Sequence, residues 1–176
     1  MTATEYVVLV DENDREVGLA EKLVAHEKNL LHRAFSIFIF QLENPQKILL
    51  QQRALHKYHS GGLWTNTCCS HPRHDEEITK SGQRRLQEEL GFSTELTDIG
   101  WFHYNAHFEN GLAENEVDHV LTGSISSQTI ITPDPGEIHA IRWVDIADLK
   151  CELAAHPETF TPWIRRALAL ALSRPK

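Results

Sequence analysis

Cys69 and His71 lie in the run Trp64-Thr65-Asn66-Thr67-Cys68-Cys69-Ser70-His71-Pro72, with a single residue between them. Side chains of an extended chain alternate between two faces, so the Cys69 thiol and the His71 imidazole share one side and Cys68 faces away. Glu114 and Glu116 repeat that spacing further along, and Asp118 extends it. Acids that project together repel unless a cation lies between them or one keeps its proton. A thiol, an imidazole and two carboxylates are groups that ligate metals and carry protons. Each segment also has a plainer reading: a buried Cys pair beside an ordinary His, and a solvated strand edge.

Other candidates are individually weaker. His26 and His32 are six residues apart, which matches no helical metal pair, so surface histidines are the ordinary reading. Arg84 with Glu88 and Arg85 with Glu89 are spaced i to i+4 on a helical pattern. Such pairs are usually surface bridges worth about 0.3–0.5 kcal/mol. The functional alternative has Glu89 ligating a metal and Arg85 binding phosphate. Lys22, Arg53 and Lys57 carry information only if they converge on one anion.

The elements that must position these groups follow from periodicity. Residues 6–10 form a β-rich run before the polar turn residues 11–15, which predicts a strand and hairpin. Residues 33–40 are apolar on both alternating faces, the pattern of a strand sandwiched between layers. Asn44-Pro45 turns the chain, and residues 47–53 return as a second strand. Residues 78–90 switch to a helical period, with Ile78, Leu86 and Leu90 on one face and Gly91 as the stop. Strands are expected around residues 100–108, 116–125 and 141–144, with a loop at 133–136. Asp145 is placed as an N-cap for a helix over 146–155, and Pro162 begins a last helix through Leu172. The order gives an α+β fold with a mixed sheet packed between helices.

The chain has 176 residues, enough for one domain with its own core. Its net charge of -8 argues against a general nucleic-acid binder, which needs a basic face, but not against a small phosphorylated ligand held by a few placed cations and a metal. No apolar run is long enough to cross a bilayer, and residues 1–6 lack the features of an export signal. The expectation is a cytoplasmic monomer with neither a membrane nor a nucleic-acid partner. The three cysteines build no disulfide framework, and Cys151 is expected to be buried near the C-terminal helices.

Residues 70–92 resemble a degenerate Nudix box, G-x5-E-x7-R-E-U-x-E-E-x-G-U. Ser70 stands at the first Gly, Glu76 and Arg84 match, Arg85 replaces the following Glu, and Leu86, Glu88, Glu89, Gly91 and Phe92 match. The lost acid weakens a hydrolase reading, because those carboxylates gather the metals for diphosphate cleavage. The same departure is expected in the type 1 isopentenyl diphosphate isomerases, which share the Nudix fold. That resemblance extends over Leu31-His32-Arg33-Ala34-Phe35-Ser36, Gln52-Arg53-Ala54, residues 64–72, Glu114-Asn115-Glu116-Val117 and Pro162-Trp163, in order across nearly the whole chain.

The resemblance implies a metal site of His26, His32, His71, Glu114 and Glu116 holding Mn2+ or Zn2+. It implies Cys69 and Glu116 as the proton-transfer pair, Tyr104 nearby, and Trp163 over a developing cation. It also implies Mg2+ on the diphosphate through Glu89, with Lys22, Arg53, Lys57 and Arg85 binding that diphosphate. The substrate class is a five-carbon allylic or homoallylic diphosphate. Two rivals remain: a Nudix-type hydrolase, which needs no thiol and acid pair, and a metal-binding domain without turnover. Trp64 is either a pocket wall or a core residue. His59, His74, His103, His107 and His119 have no assigned role.

Overall fold

A computed structural model describes residues 4–173. The strands are β1 (Tyr6–Val10), β2 (Glu16–Glu21), β3 (His32–Gln41), β4 (Lys47–Arg53), β5 (Trp64–Thr65), β6 (Cys68–Ser70), β7 (Thr97–His107), β8 (Ala113–Ile125) and β9 (Ile138–Asp145). The helices are α1 (Lys22–Glu27), α2 (Ile78–Leu90), α3 (Ile146–Ala155) and α4 (Ile164–Leu172). Their arrangement is the α+β fold expected, one mixed sheet between helices.

β3 is the spine. Its apolar side chains serve both faces, as the uninterrupted pattern predicts. Phe35, Ile37 and Ile39 pack with Leu86 and Leu90 of α2, while Phe38 and Phe40 pack with Leu149, Leu153, Ile164 and Leu168 of α3 and α4. One edge of β3 runs parallel to β8 over ten paired positions. The other edge meets β1, β6 and β4 in turn, all antiparallel.

α2 ends where Gly91 turns left-handed at φ 75°, its N–H bonded to Gln87 O. A Cβ there would also meet Thr132 Oγ1 at 2.6 Å, so both backbone and space favour Gly. Three expectations differ in detail. Asp145 occupies the N-cap of α3 but its side chain makes no capping bond. Cys151 is exposed rather than buried, because Leu149 and Leu153 claim the inward face of α3. Trp64 packs on the core and carries Arg142 4.6 Å above its ring, so it is no wall of the pocket described below.

His119 of β8 ties the sheet to the β1–β2 turn. Its Nδ1 is 2.8 Å from Asp98 Oδ2 and its Nε2 2.8 Å from Asp14 Oδ2, while Arg33 Nε donates to Asp14 Oδ1 at 2.7 Å. Burial opposes charge on this imidazole, but Asp98 and then Asp14 overcome it and raise its pKa above the ordinary 6.5. A raised folded pKa stabilises fully below the unfolded value, and that contribution is lost as pH rises through the folded value. His119→Gln is expected to lower stability by about 1–2 kcal/mol at pH 6 and by progressively less toward pH 9, measured by urea unfolding. An equal loss across that range would show a neutral imidazole in the fold.

Candidate active site

Register on β3 assembles the site. Pairing with β8 sets His32 opposite Glu116 and Ala34 opposite Asp118. Pairing with β6 sets Ser36 opposite Cys69, and His71 follows β6 directly. α1, six residues long, packs against β8 and delivers the buried His26.

These placements bring His26, His32, His71, Glu114 and Glu116 together. One ligand atom from each lies within 4.8 Å of every other. His26 Nε2 is 3.3 Å from Glu114 Oε2, and Glu116 Oε1 is 3.5 Å from His32 Nε2 and 3.2 Å from His71 Nε2. The far ring atoms are committed elsewhere: His26 Nδ1 is 2.6 Å from Lys22 O, and His32 Nδ1 2.8 Å from Leu30 O. A carbonyl only accepts, so each Nδ1 donates and each Nε2 of a neutral ring presents a lone pair. Burial favours the neutral ring in two of them, pushing His32 down to about 4 and His71 well below its usual value, whereas the adjacent Glu114 outweighs burial at His26 and raises its pKa.

With the rings neutral, the result is a set of acceptors facing acceptors. His26 Nε2, His32 Nε2 and Glu114 Oε2 are buried without a hydrogen-bond partner among the described residues. Such orphaned groups cost free energy unless something satisfies them. Burial and then the charge of Glu114 push Glu116 well above the usual carboxylate range, while the neighbouring His26 and His59 rings hold Glu114 well below it against its own burial. A divalent cation would satisfy every one of these atoms, and three imidazoles with two carboxylates form a suitable donor set.

The cluster opens onto a cavity of about 720 Å³. Cys69, Trp163, Lys22, Arg53, Lys57 and Arg85 line it as well, so the thiol, the indole and all four expected cations share it with the cluster. Cys69 lies at 3.1 Å from Asn66 Oδ1, to which its S–H donates, and receives the Trp163 Nε1 proton at 3.3 Å. Burial, reinforced by Asp118, pushes its pKa up to about 11, so it is a neutral thiol. Cys68 faces the core, as alternation requires. Arg53 lies 5.7 Å from the Trp163 ring centroid, with its own Nε buried and unpartnered among the described residues.

Two expected residues lie off the cavity wall. Tyr104 pairs with Glu116 across β7 and β8 and stands edge-on to Trp163 at 6.0 Å, its hydroxyl buried without a partner among the described residues. Glu89 is buried in α2, contacting Arg85 and lying 3.4 Å from Gln51 Nε2. The structure also adds residues that spacing did not single out. Asn66 accepts from Thr65, Cys69 and Trp163 through one oxygen. Its position inside the Trp64 to Pro72 run was the available signal. Glu137 contacts Lys57 and lies 3.9 Å from Arg85. His59, on the loop after β4, had no signal at all.

The NUDIX domain family matches residues 30–168. An isopentenyl-diphosphate Delta-isomerase of Burkholderia multivorans is 48% identical over 90% of this chain and 88% of its own length. Another, of Photobacterium profundum, is 47% identical over 98% and 97%. Among solved structures, DR0079 from Deinococcus radiodurans superposes with a TM-score of 0.72 at 16% identity, covering 97% of this chain and all of that one. A MutT Nudix hydrolase from Burkholderia pseudomallei gives 0.61 at 21% identity, covering 80% and 97%. At those identities the structural matches establish the fold alone.

A cation that binds the folded cluster raises stability by mass action, about 2.7 kcal/mol at a hundred times the dissociation constant. Chelator treatment is therefore expected to lower the thermal midpoint and a divalent ion to restore it, while Glu114→Gln loses most of that response. A Glu114→Gln protein that responds like the unsubstituted chain would exclude the cluster as the binding site.

Proposed function

Since the chain belongs to the isopentenyl-diphosphate Delta-isomerase family, on the Nudix fold, we propose that its cavity performs the family's double-bond shift with Cys69 and Glu116 as the proton-transfer pair. The reaction interconverts isopentenyl and dimethylallyl diphosphate. The observation that supports this pair is their shared cavity, with Trp163 on its wall and the cations around it.

An unactivated alkene is a poor base, so the shift needs an acid held in a water-poor site. One group gives a proton to C4, leaving a tertiary cation at C3. The other removes a proton from C2, and that C–H electron pair becomes the C2–C3 double bond. No atoms are gained or lost. A thiol and a carboxyl group from separate strands suit these two roles when one starts protonated and the other ionised, so that the proton given to C4 by the first is matched by the proton taken from C2 by the second. The Trp163 indole stabilises the intermediate charge by about 2 kcal/mol or more when water is absent. Excluding water also prevents capture of the cation as an alcohol.

Lys22, Arg53, Lys57 and Arg85 bind the diphosphate in this reading. Lys22 is 2.8 Å from Glu5, Lys57 contacts Glu137, and Arg85 is 2.8 Å from Glu88, so bound phosphate exchanges carboxylate partners for phosphate oxygens. His26, His32, His71, Glu114 and Glu116 hold the Mn2+ or Zn2+, which when bound would fix the orientation of Glu116 and offset the charge beside it. The fit of Glu89 to Mg2+ is poorer, because its carboxylate is engaged by Arg85 and Gln51 and lies off the cavity wall. The hydrolase alternative lacks an acid: Arg85 occupies the position of a Glu in the Nudix signature.

Proton NMR of isopentenyl diphosphate with the metal-loaded protein is expected to show conversion to dimethylallyl diphosphate. Cys69→Ala is expected to lower turnover by roughly 10²–10⁴-fold, while Cys68→Ala retains most of it. Comparable losses in both variants would remove Cys69 from the reaction.

A further inference from the structure

His59 lies on the loop between β4 and β5, and its side chain is only 3% exposed. Its Nε2 is 2.7 Å from Glu114 Oε1, and its Nδ1 is 3.3 Å from Ser60 Oγ. The ring stacks on Phe108 at 4.7 Å with 13° between planes, and Tyr58 meets it edge-on at 4.7 Å. Phe108 begins the turn joining β7 to β8, and Asn110 of that turn donates to Tyr58 O at 2.7 Å. The imidazole that contacts Glu114 is thus held between two loops.

Glu114 divides its two oxygens. Oε1 faces His59, whereas Oε2 faces His26 at 3.3 Å and has no hydrogen-bond partner among the described residues. A carboxylate anchored through one oxygen presents the other in a fixed direction, which removes rotational freedom before any cation arrives. This anchoring needs a proton on Nε2, and the Ser60 hydroxyl beside Nδ1 is able to donate to it and so accommodates that tautomer. Ser60 itself takes φ 53°, in the left-handed region that L side chains rarely adopt. Gly61 follows it where a Cβ would come within 2.7 Å of Leu55 O, so the turn that carries His59 is tightly constrained.

We propose that His59 is a positioning residue for the metal centre, orienting Glu114 so that Oε2 points at the His26, His32 and Glu116 donors. This rests on reading that cluster as a metal site. His59 acts through Glu114 and is not a ligand itself. It also reaches the cavity wall, so a direct contact with substrate is the competing role.

The test is metal affinity without turnover. Chelator-stripped protein, checked for folding by circular dichroism, is titrated calorimetrically with Mn2+ and separately with Zn2+. His59→Phe is expected to weaken binding by about 10–100-fold. His59→Gln, whose amide nitrogen reaches the place of Nε2, is expected to stay within a few-fold of the unsubstituted protein. His59→Asn is smaller and too short to reach Glu114, and it is expected to bind as weakly as His59→Phe; it carries the comparison if the Phe variant does not fold. Unchanged affinity in the Phe or Asn variants, including a raised KM with normal metal binding, would overturn the proposal. So would a Gln variant as weak as Asn. Failure of the unsubstituted protein to bind either metal would instead remove the metal centre, and this role with it.

Discussion

The pairing of β3 with β8 on one edge and β6 on the other is the constraint on which the site depends. It places His32 beside Glu116 and Ser36 beside Cys69 at the same time. A slip of one residue on either edge would turn the paired side chain to the opposite face of the sheet. Such a slip would present Val117 in place of Glu116, or Cys68 in place of Cys69. Because β3 is apolar on both faces, burial alone discriminates poorly between registers. Polar bonds supply the discrimination. Ser36 Oγ donates to Asp118 Oδ2 at 2.8 Å across the parallel pair. Before β6, Asn66 Nδ2 donates to Ile37 O at 3.2 Å, and Thr67 Oγ1 donates to Leu49 O while accepting from Ile39 N. These bonds are buried, so shifting any of them leaves an unsatisfied group.

The same register sets up the electrostatic contrast within the cavity. The Cys69 thiol is kept neutral by burial and by Asp118, and Asn66 and Trp163 fix its direction. His26 Nε2, His32 Nε2 and Glu114 Oε2 instead lie together without hydrogen-bond partners among the described residues. The first arrangement is satisfied as it stands; the second is not. That difference is why the cluster reads as a cation site and Cys69 as a proton-carrying group, although Cys69, Glu114 and Glu116 open on one space.

Much of this was legible in the sequence. The bounds of β1, β4, α2 and α3 follow from periodicity and end signals, since long amphipathic or two-faced runs bury enough side chains to dictate their own structure. Alternation correctly separated Cys69 from Cys68 and put Glu114 and Glu116 on one face. It failed for His26, because α1 is too short to display a period and its role depends on packing against β8. The resemblance to a family nominated His26 and His32; their spacing did not. His59 was invisible for a related reason: it reaches Glu114 from a sequence separation of 55 residues, through a loop without a periodic signal. Cys151 shows the reverse error, where the ordinary burial preference of cysteine lost to the stronger claims of Leu149 and Leu153 on the inward face of α3.

As proposed, Cys69 and Glu116 form one proton-transfer unit, and a double-mutant cycle tests that most directly. The rate of dimethylallyl diphosphate formation in deuterated buffer is measured for the unsubstituted protein, Cys69→Ala, Glu116→Gln and the double variant, each with its bound metal quantified. The predicted result is deuterium in the C4-derived methyl of the unsubstituted product, a large loss in each single variant, and a double variant scarcely slower than the worse single one, as for residues that act together. Multiplying losses, or product formed without deuterium, would contradict it.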